Sequence, residues 1–353
     1  MVLPARSFKR QRGIALIMAL MLAAIAVAIV TAIYVQQRYA IRLTQNLQDL
    51  EQAYQYGSAA ETMATVWLKR DLKGDQVDLY KAWLKPELQG DQVDSRFDKW
   101  AGDLEPFEID DDNGQAIGNV TIKIEDLQGY FNVNDVYAPK EKKPHPLMMK
   151  AFQRLLQSND VPLSFAFSVL DWVDPDDKIS DPDSAESDYY LMQDPEYRTS
   201  NEYLVDPSEL SLLRLGNIED AKEKKAALER LAPYIVTLPT PTSINVNTAL
   251  PEVLEAIGFT NAQAKATIDF AKTAPIKNVA DLSSAVPGID KNALQVLGTS
   301  SNYFRLIGQV RFGRSRLFIN SILFRSPEGE VHVIMRNFDR PAKKKEKTDT
   351  VLN

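Results

Sequence analysis

The chain has 353 residues, 44% hydrophobic and 25% charged, with a net charge of −7 and no cysteine. That length allows two domains beyond any anchor, and the apolar fraction suffices for packed cores. The negative balance argues against wholesale polyanion binding, and the lack of cysteine excludes a disulfide framework and a thiolate zinc site.

The run from Ile14 to Gln37 carries no charged side chain. Its 24 residues reach ~36 Å at ~1.5 Å per residue, enough to cross a bilayer core of ~30 Å with some tilt. Arg6, Lys9, Arg10 and Arg12 precede it, and such an excess marks the cytoplasmic side. The pattern predicts one pass through a membrane, with the N-terminus cytoplasmic and the bulk extracytoplasmic. A secretory signal peptide starts in the same way, and Ala24-Ile25-Ala26 and Ala26-Val27-Ala28 resemble its cleavage sites. Its apolar region covers only about 7 to 15 residues, however, which is too short for this run. Past Gln37, Leu43, Leu47, Leu50, Tyr54, Ala60, Met63 and Trp67 recur mostly at intervals of three and four, which marks one amphipathic face. The prediction is a single helix of roughly 50 residues, apolar all round at first and one-sided later.

A basic leader ending in Gly13, then Ile14 and a long membrane helix that turns amphipathic, resembles the class III signal of type IV pilins and pseudopilins. The resemblance implies that a prepilin peptidase cuts between Gly13 and Ile14 and methylates the new N-terminus. One position departs: most pilins carry Glu at the fifth mature residue, and here it is Met18. In pilins that glutamate resembles a counter-charge for the amine of the previously assembled subunit, a pair that matters in a low dielectric. A subunit that starts a filament has no predecessor. In this lack, and in its size, the chain is similar to the large minor pseudopilin family of type II secretion, the K family.

Further along, Val120, Ile122 and Ile124 alternate with polar residues in a half-buried strand, followed by a turn at Gln128 and Gly129. The stretch "YFRLIGQVRFGRSRLFINSILFRSPEGEVHVIMRNF" reads as a three-stranded meander broken at "GRS" and "PEG". Between these groups the spacing is helical in "MMKAFQRLLQS", "SFAFSVLDWV", "SELSLLRL", "AKEKKAALERLAPYI" and "LPEVLEAI". The expected fold is α+β: a pilin-like long N-terminal helix packed on a small antiparallel sheet, with a large all-helical domain inserted. The expected boundaries are a leader at 1–13, a transmembrane helix at 14–37, the first part of the pilin-like domain at 38–137, the insertion at 138–301, C-terminal strands at 302–338 and a disordered tail at 339–353. The K family has a similar insertion, and "GYFNVNDV", "LDWVDPDD", "SAESDYYL", "VDPSELSLLRL" and "INVNTALPEVL" match its pattern in this order.

From Asp171 to Asp188 stand eight carboxylates, Asp171, Asp174, Asp176, Asp177, Asp181, Asp183, Glu186 and Asp188, against the single cation Lys178. Such a loop is either solvated or bound to a hard cation, and oxygen ligands in a flexible loop suit calcium. It is no EF-hand, because the Gly and Glu that such a loop requires are missing. The resemblance implies a calcium loop here, with Asp174, Asp176 and Glu186 as ligands by matching positions. Ser184 replaces a usual Gly and Ser187 a usual Asp, so Asp188 is the substitute for the latter. Asp171, Asn201 and Asp206 are outer members, since "TSNEYLVDPSEL" resembles the segment that closes over this loop. Trp172 reads as core.

The stretch from Ile244 to Gly298 resembles a helix-hairpin-helix unit through "VPGID", a module that elsewhere presents backbone N–H groups to DNA phosphates. Its lysines, Lys265, Lys272, Lys277 and Lys291, are scattered among acids, so no nucleic acid is expected as partner. An enzyme is not indicated either: the two histidines, His145 and His332, have no nucleophile motif nearby, and no P-loop or dinucleotide fingerprint occurs. The resemblance implies a tip subunit of the type II secretion pseudopilus that primes assembly. Its partners would be minor pseudopilins of the I, J and H types, the major pseudopilin, the prepilin peptidase and the inner membrane. The alternative is a minor pilin-like subunit of another type IV filament.

Overall fold

A computed structural model describes residues 12–73, 93–102 and 104–340. The leader before Arg12 and the tail after Arg340 lie outside the described residues. Helix α1 runs over Arg12–Lys73, 62 residues, longer than the roughly 50 expected. It passes through Gly57 without a break because that glycine faces the sheet, with Ile319 and Leu317 in van der Waals range of an added Cβ. Every side chain from Ile14 to Gln48 is exposed. The stretch from Ile14 has a window of mean hydropathy 2.9, so α1 is long and apolar enough to cross a membrane. Its C-terminal part buries Ala53, Ala60, Ala64 and Leu68 on one face, where small side chains let the helix axis come close to the sheet.

The sheet has five strands, all antiparallel, in spatial order β1 (Phe107–Asp110), β2 (Ala116–Asp126), β3 (Tyr303–Phe312), β4 (Ser315–Arg325), β5 (Val331–Asn337). The expected strand at 120–124 and the expected meander are β2 and β3 to β5. Strand β1 escaped the reading because four residues with one inward side chain, Ile109, give no period to detect. Val120, Ile122, Ile124, Phe304, Leu306, Val310 and Leu323 point into the core under α1. The β3–β4 turn places Gly313 at φ +53°, and Asp49 of α1 accepts from the Arg314 N–H at 3.2 Å, so the helix grips this hairpin.

A second core runs from Phe131 to Leu297. It is built on α2 (Pro146–Ser158), α3 (Phe165–Val173), α4 (Ala221–Leu231), α5 (Pro251–Ile257) and α6 (Asn261–Ala271), with short helices at Val279–Ala285 and Lys291–Gln295. His145 caps α2, its Nδ1 accepting from the Met148 N–H. The stretch "SELSLLRL" forms only a 3₁₀ turn over Pro207–Ser211, closed by a capping box of Asp206 and Glu209.

Two Asn-Val-Asn segments clamp this core. Phe131-Asn132 pairs in parallel with Ile235-Val236, and Ile244-Asn245 pairs in parallel with Leu297-Gly298. In each, the first Asn accepts from the backbone N–H of the second, at 3.3 Å and 3.1 Å. The second Asn imitates a peptide group toward a passing strand: Asn134 exchanges hydrogen bonds with both backbone groups of Leu204, and Asn247 with both of Ile276. Buried in this way, each side-chain amide fixes two chain segments at once.

Candidate metal centre

Helix α3 ends at Val173, and the Asp174 N–H bonds to the Leu170 carbonyl while its backbone turns extended. The acidic loop begins there. Asp171, the last acid on the helix, ties the loop down: its carboxylate accepts from the Ser180 N–H at 3.1 Å and from the Ser184 hydroxyl. Arg214 holds the far side, donating to the Ser184 carbonyl at 2.9 Å and the Pro182 carbonyl at 3.3 Å. That arginine is thus spent on carbonyls, lies 3.9 Å from Asp183, and rests on the Tyr189 ring. Trp172 is core, edge-on to Tyr190 at 5.4 Å. Its carbonyl accepts from the Asn201 N–H at 3.0 Å, which draws Asn201, at φ +50°, against the loop base.

Four buried oxygens here have no hydrogen-bond partner: Asp174 Oδ1, both Oε1 and Oε2 of Glu186, and Asn201 Oδ1. All are acceptors, and they come from three separate segments. Buried polar atoms are nearly always paired, so a set of acceptors left bare calls for a cation or water. The electrostatics agree. Burial, with Asp176 and Asp171 adding repulsion, pushes the Asp174 carboxyl up to about 7. Burial, then Asp171 and Asp174, pushes Glu186 up to about 8. Asp171 is raised by burial against its two serine donors.

The other expected residues are placed differently. Asp176 is exposed and accepts from the Lys178 N–H at 3.0 Å. Asp188 is exposed on the one-turn helix Ser187–Tyr190. Asp206 is occupied as the cap of Pro207–Ser211, accepting from the Ser208 N–H at 2.8 Å.

Among the described residues, the three acids whose oxygens lie within 4.8 Å of one another are elsewhere: Asp71, Asp94 and Asp98. Sequence reasoning missed this group. It already contains a cation, Arg325, 2% exposed, which bonds to Asp71 at 3.1 Å, to Asp94, and to the Ser301 and Leu68 carbonyls, over the face of Phe304. The loop acids form no such tight trio, so a cation bound there would draw on Asn201 and other neutral oxygens as well as carboxylates.

Residues 129–240 match the family model of type II secretion system protein K. The type II secretion system protein K of Klebsiella pneumoniae is 31% identical over 250 residues, which span 69% of this chain and 68% of that one. The chain belongs to the type II secretion system protein K family. The family member of Pseudomonas aeruginosa is 29% identical over 335 residues, covering 93% of this chain and 92% of its own. In fold, a chain in the crystal structure of the GspK-GspI-GspJ complex from enterotoxigenic Escherichia coli superposes with a TM-score of 0.67 at 21% identity. The match covers 84% of this chain and 99% of that one. As a member of the family, the protein is a component of type II secretion.

Proposed function

We propose that this protein is the minor pseudopilin at the tip of the type II secretion pseudopilus, where it primes assembly and caps the filament without catalysing a reaction. The observation that carries the reading is the joining of two features in one chain. An N-terminal helix exposes every side chain from Ile14 to Gln48 and carries Met18 in place of a counter-charge, and behind it stands a head with a second core from Phe131 to Leu297. The first feature suits a subunit with no predecessor; the second makes a head too bulky to repeat along a tightly stacked shaft. The helix would enter the inner membrane with Arg6, Lys9, Arg10 and Arg12 on the cytoplasmic side, where a prepilin peptidase cuts between Gly13 and Ile14. The GspK-GspI-GspJ complex supports pseudopilins of the I and J types as neighbours. Those of the H type and the major pseudopilin would follow below.

The acidic loop is the proposed calcium site. Asp174, Glu186 and Asn201 supply the bare oxygens, with Asp171 and Asp176 adding negative charge from beside them. A hard cation there would neutralise the repulsion and set the loop.

Labelling the periplasmic head and imaging overproduced filaments tests the position. One label at an end of each filament is expected; label spread along the shaft overturns the tip assignment. Intact mass of the membrane form tests processing, with a chain beginning at a methylated Ile14 as the expected result.

A further inference from the structure

A cavity of about 430 Å³ opens beside the first Asn-Val-Asn clamp. Asp135, Tyr137, Met148, Thr242, Gln295 and Val296 are among the residues that line it. Asp135 is only 4% exposed. Its Oδ1 accepts from the Asn132 side-chain amide at 2.8 Å and from the Thr242 N–H at 3.1 Å. Its Oδ2 is equally buried and has no partner.

The second clamp shows what the motif itself requires. There the residue after the second Asn is Thr248, whose hydroxyl is fully used in donating to Asp126 at 2.6 Å. Asn245, the first Asn of that clamp, also donates to Asp126, at 2.8 Å, and with Ser301 and the Gln128 N–H both oxygens of Asp126 are used, so Asp135, with only one oxygen used, is an acid left half satisfied. It is also an expensive one, since burial drives its carboxyl well above the usual carboxylate range against the pull of its two donors. Ionised, its charge is met by two N–H donors at one oxygen and by nothing at the other. A cationic donor from outside would complete it. Close to it, the Tyr203 hydroxyl is a second buried group without a partner, and Asp135 lies near enough to act on it electrostatically. Among the other lining groups the exposed Lys140 and Glu141 offset each other and His145 uses its Nδ1 as the α2 cap, which leaves Asp135 as the acid without a counter-charge.

We propose that this cavity binds an aliphatic ammonium group, with the Asp135 carboxylate as counter-ion and Tyr137, Met148 and Val296 against the alkyl stem. The group could belong to a free polyamine or to a lysine side chain of a peptide, and the chemistry is the same. None of the loop carboxylates lines this cavity, but its wall residue Tyr137 lies near enough to Asp174 and Asp176 to feel their charge.

Titration of the full chain in neutral detergent with putrescine, with its uncharged counterpart butanediol, and with Nα-acetyl-lysine methylamide, followed calorimetrically, tests it. Putrescine should bind saturably and butanediol roughly tenfold more weakly or worse, the ratio expected for a hydrogen bond to a charged group. Asp135→Asn, with folding checked by its melting curve, should remove that preference and leave the diol unchanged. If the variant does not fold, the amine-to-diol ratio of the unaltered chain decides alone. Binding of the lysine derivative as tight as putrescine assigns the site to a peptide side chain; putrescine binding without it assigns a free amine. Equal binding of amine and diol, or no saturation by any amine, overturns the proposal in favour of a water held between Asp135 and Tyr203.

Discussion

Asp94 and Glu186 are both almost wholly withdrawn from solvent, at 1% and 3% exposure, yet the chain treats them in opposite ways. Beside Asp94 it supplies its own cation, Arg325, and ties α1, the segment around Asp94 and the end of β4 into one ion-paired knot. Beside Glu186 it supplies none, and Arg214, which holds the loop, donates to carbonyls instead. The first arrangement is complete on folding; the second stays unfinished until something positive arrives from solution. Between them stands Asp126, also buried, which is met by neutral donors alone: Asn245, Thr248, Ser301 and the Gln128 N–H. One chain therefore holds buried carboxylates by cation, by dipoles, and by neither.

The largest expected effect comes from breaking the complete arrangement. Arg325→Leu strips Asp94 of its counter-charge, and removing one partner of a buried pair costs about 3 to 5 kcal/mol. Denaturant unfolding should show that loss. A change below about 1 kcal/mol would mean that water reaches Asp94 and that the knot is weaker than its burial implies.

The dipole-held acid should give the next largest effect, and it is a pH effect. Burial raises the Asp126 carboxyl from 3.8 to about 6, above its unfolded value, so the native chain binds the extra proton. Its contribution to stability is full below about pH 4, falls as pH rises through about 6, and is flat beyond. At about 1.4 kcal/mol per pKa unit the swing is about 3 kcal/mol. Asp126→Asn should lack it, so the stability difference between the two proteins should shrink across that window and no further. A difference independent of pH would show Asp126 ionised throughout.

The fold was legible where patterns were long. Helix α1, β2 and the meander follow from periodicities sustained over many residues, whereas β1 and the two-residue parallel bridges are too short to carry one. The Arg325 knot left a trace that can be read afterwards: Arg325 shares the parity of the inward Ile319, Ser321 and Leu323, so the alternation itself puts a charge inside. Its acidic partners come from segments more than 200 positions earlier in the chain, and no local pattern announces them. The two Asn-Val-Asn copies stand out only once the fold is known, because their role depends on Leu204 and Ile276, far from either copy. At the acidic loop the composition pointed to the right segment and could not rank its members. Burial does that, and it separates Asp174 and Glu186 from Asp176 and Asp188. The use of Asp206 as a cap was readable from "DPSE", an acid followed three residues later by Glu.

The unfinished arrangement should respond to calcium, and independently of the first. At free calcium a hundredfold above its dissociation constant, a ligand bound by the native state alone adds about 2.7 kcal/mol, which a chelator should remove. The same decrement is expected in the Arg325→Leu background, because distant sites without shared partners add. Identical melting of the full chain in chelator and in calcium would leave the loop as a solvated acidic segment.

The smallest effect is the one that ranks the loop acids. Glu186 is buried with both oxygens bare, whereas Asp188, two residues on, is exposed on its one-turn helix. An exposed charge acts through water and salt, which screen it within about 8 Å at physiological ionic strength. Asp188→Asn should therefore change calcium affinity by no more than about twofold, in keeping with a surface substitution worth within about 0.5 kcal/mol. Glu186→Gln removes a charge that no solvent screens and should weaken binding by roughly tenfold or more. Calcium titrations of the two variants give the ratio directly. If Asp188→Asn proved the more damaging, the one-turn helix would have to turn its acid inward on binding. The contrast between buried and exposed carboxylates would then describe only the calcium-free chain.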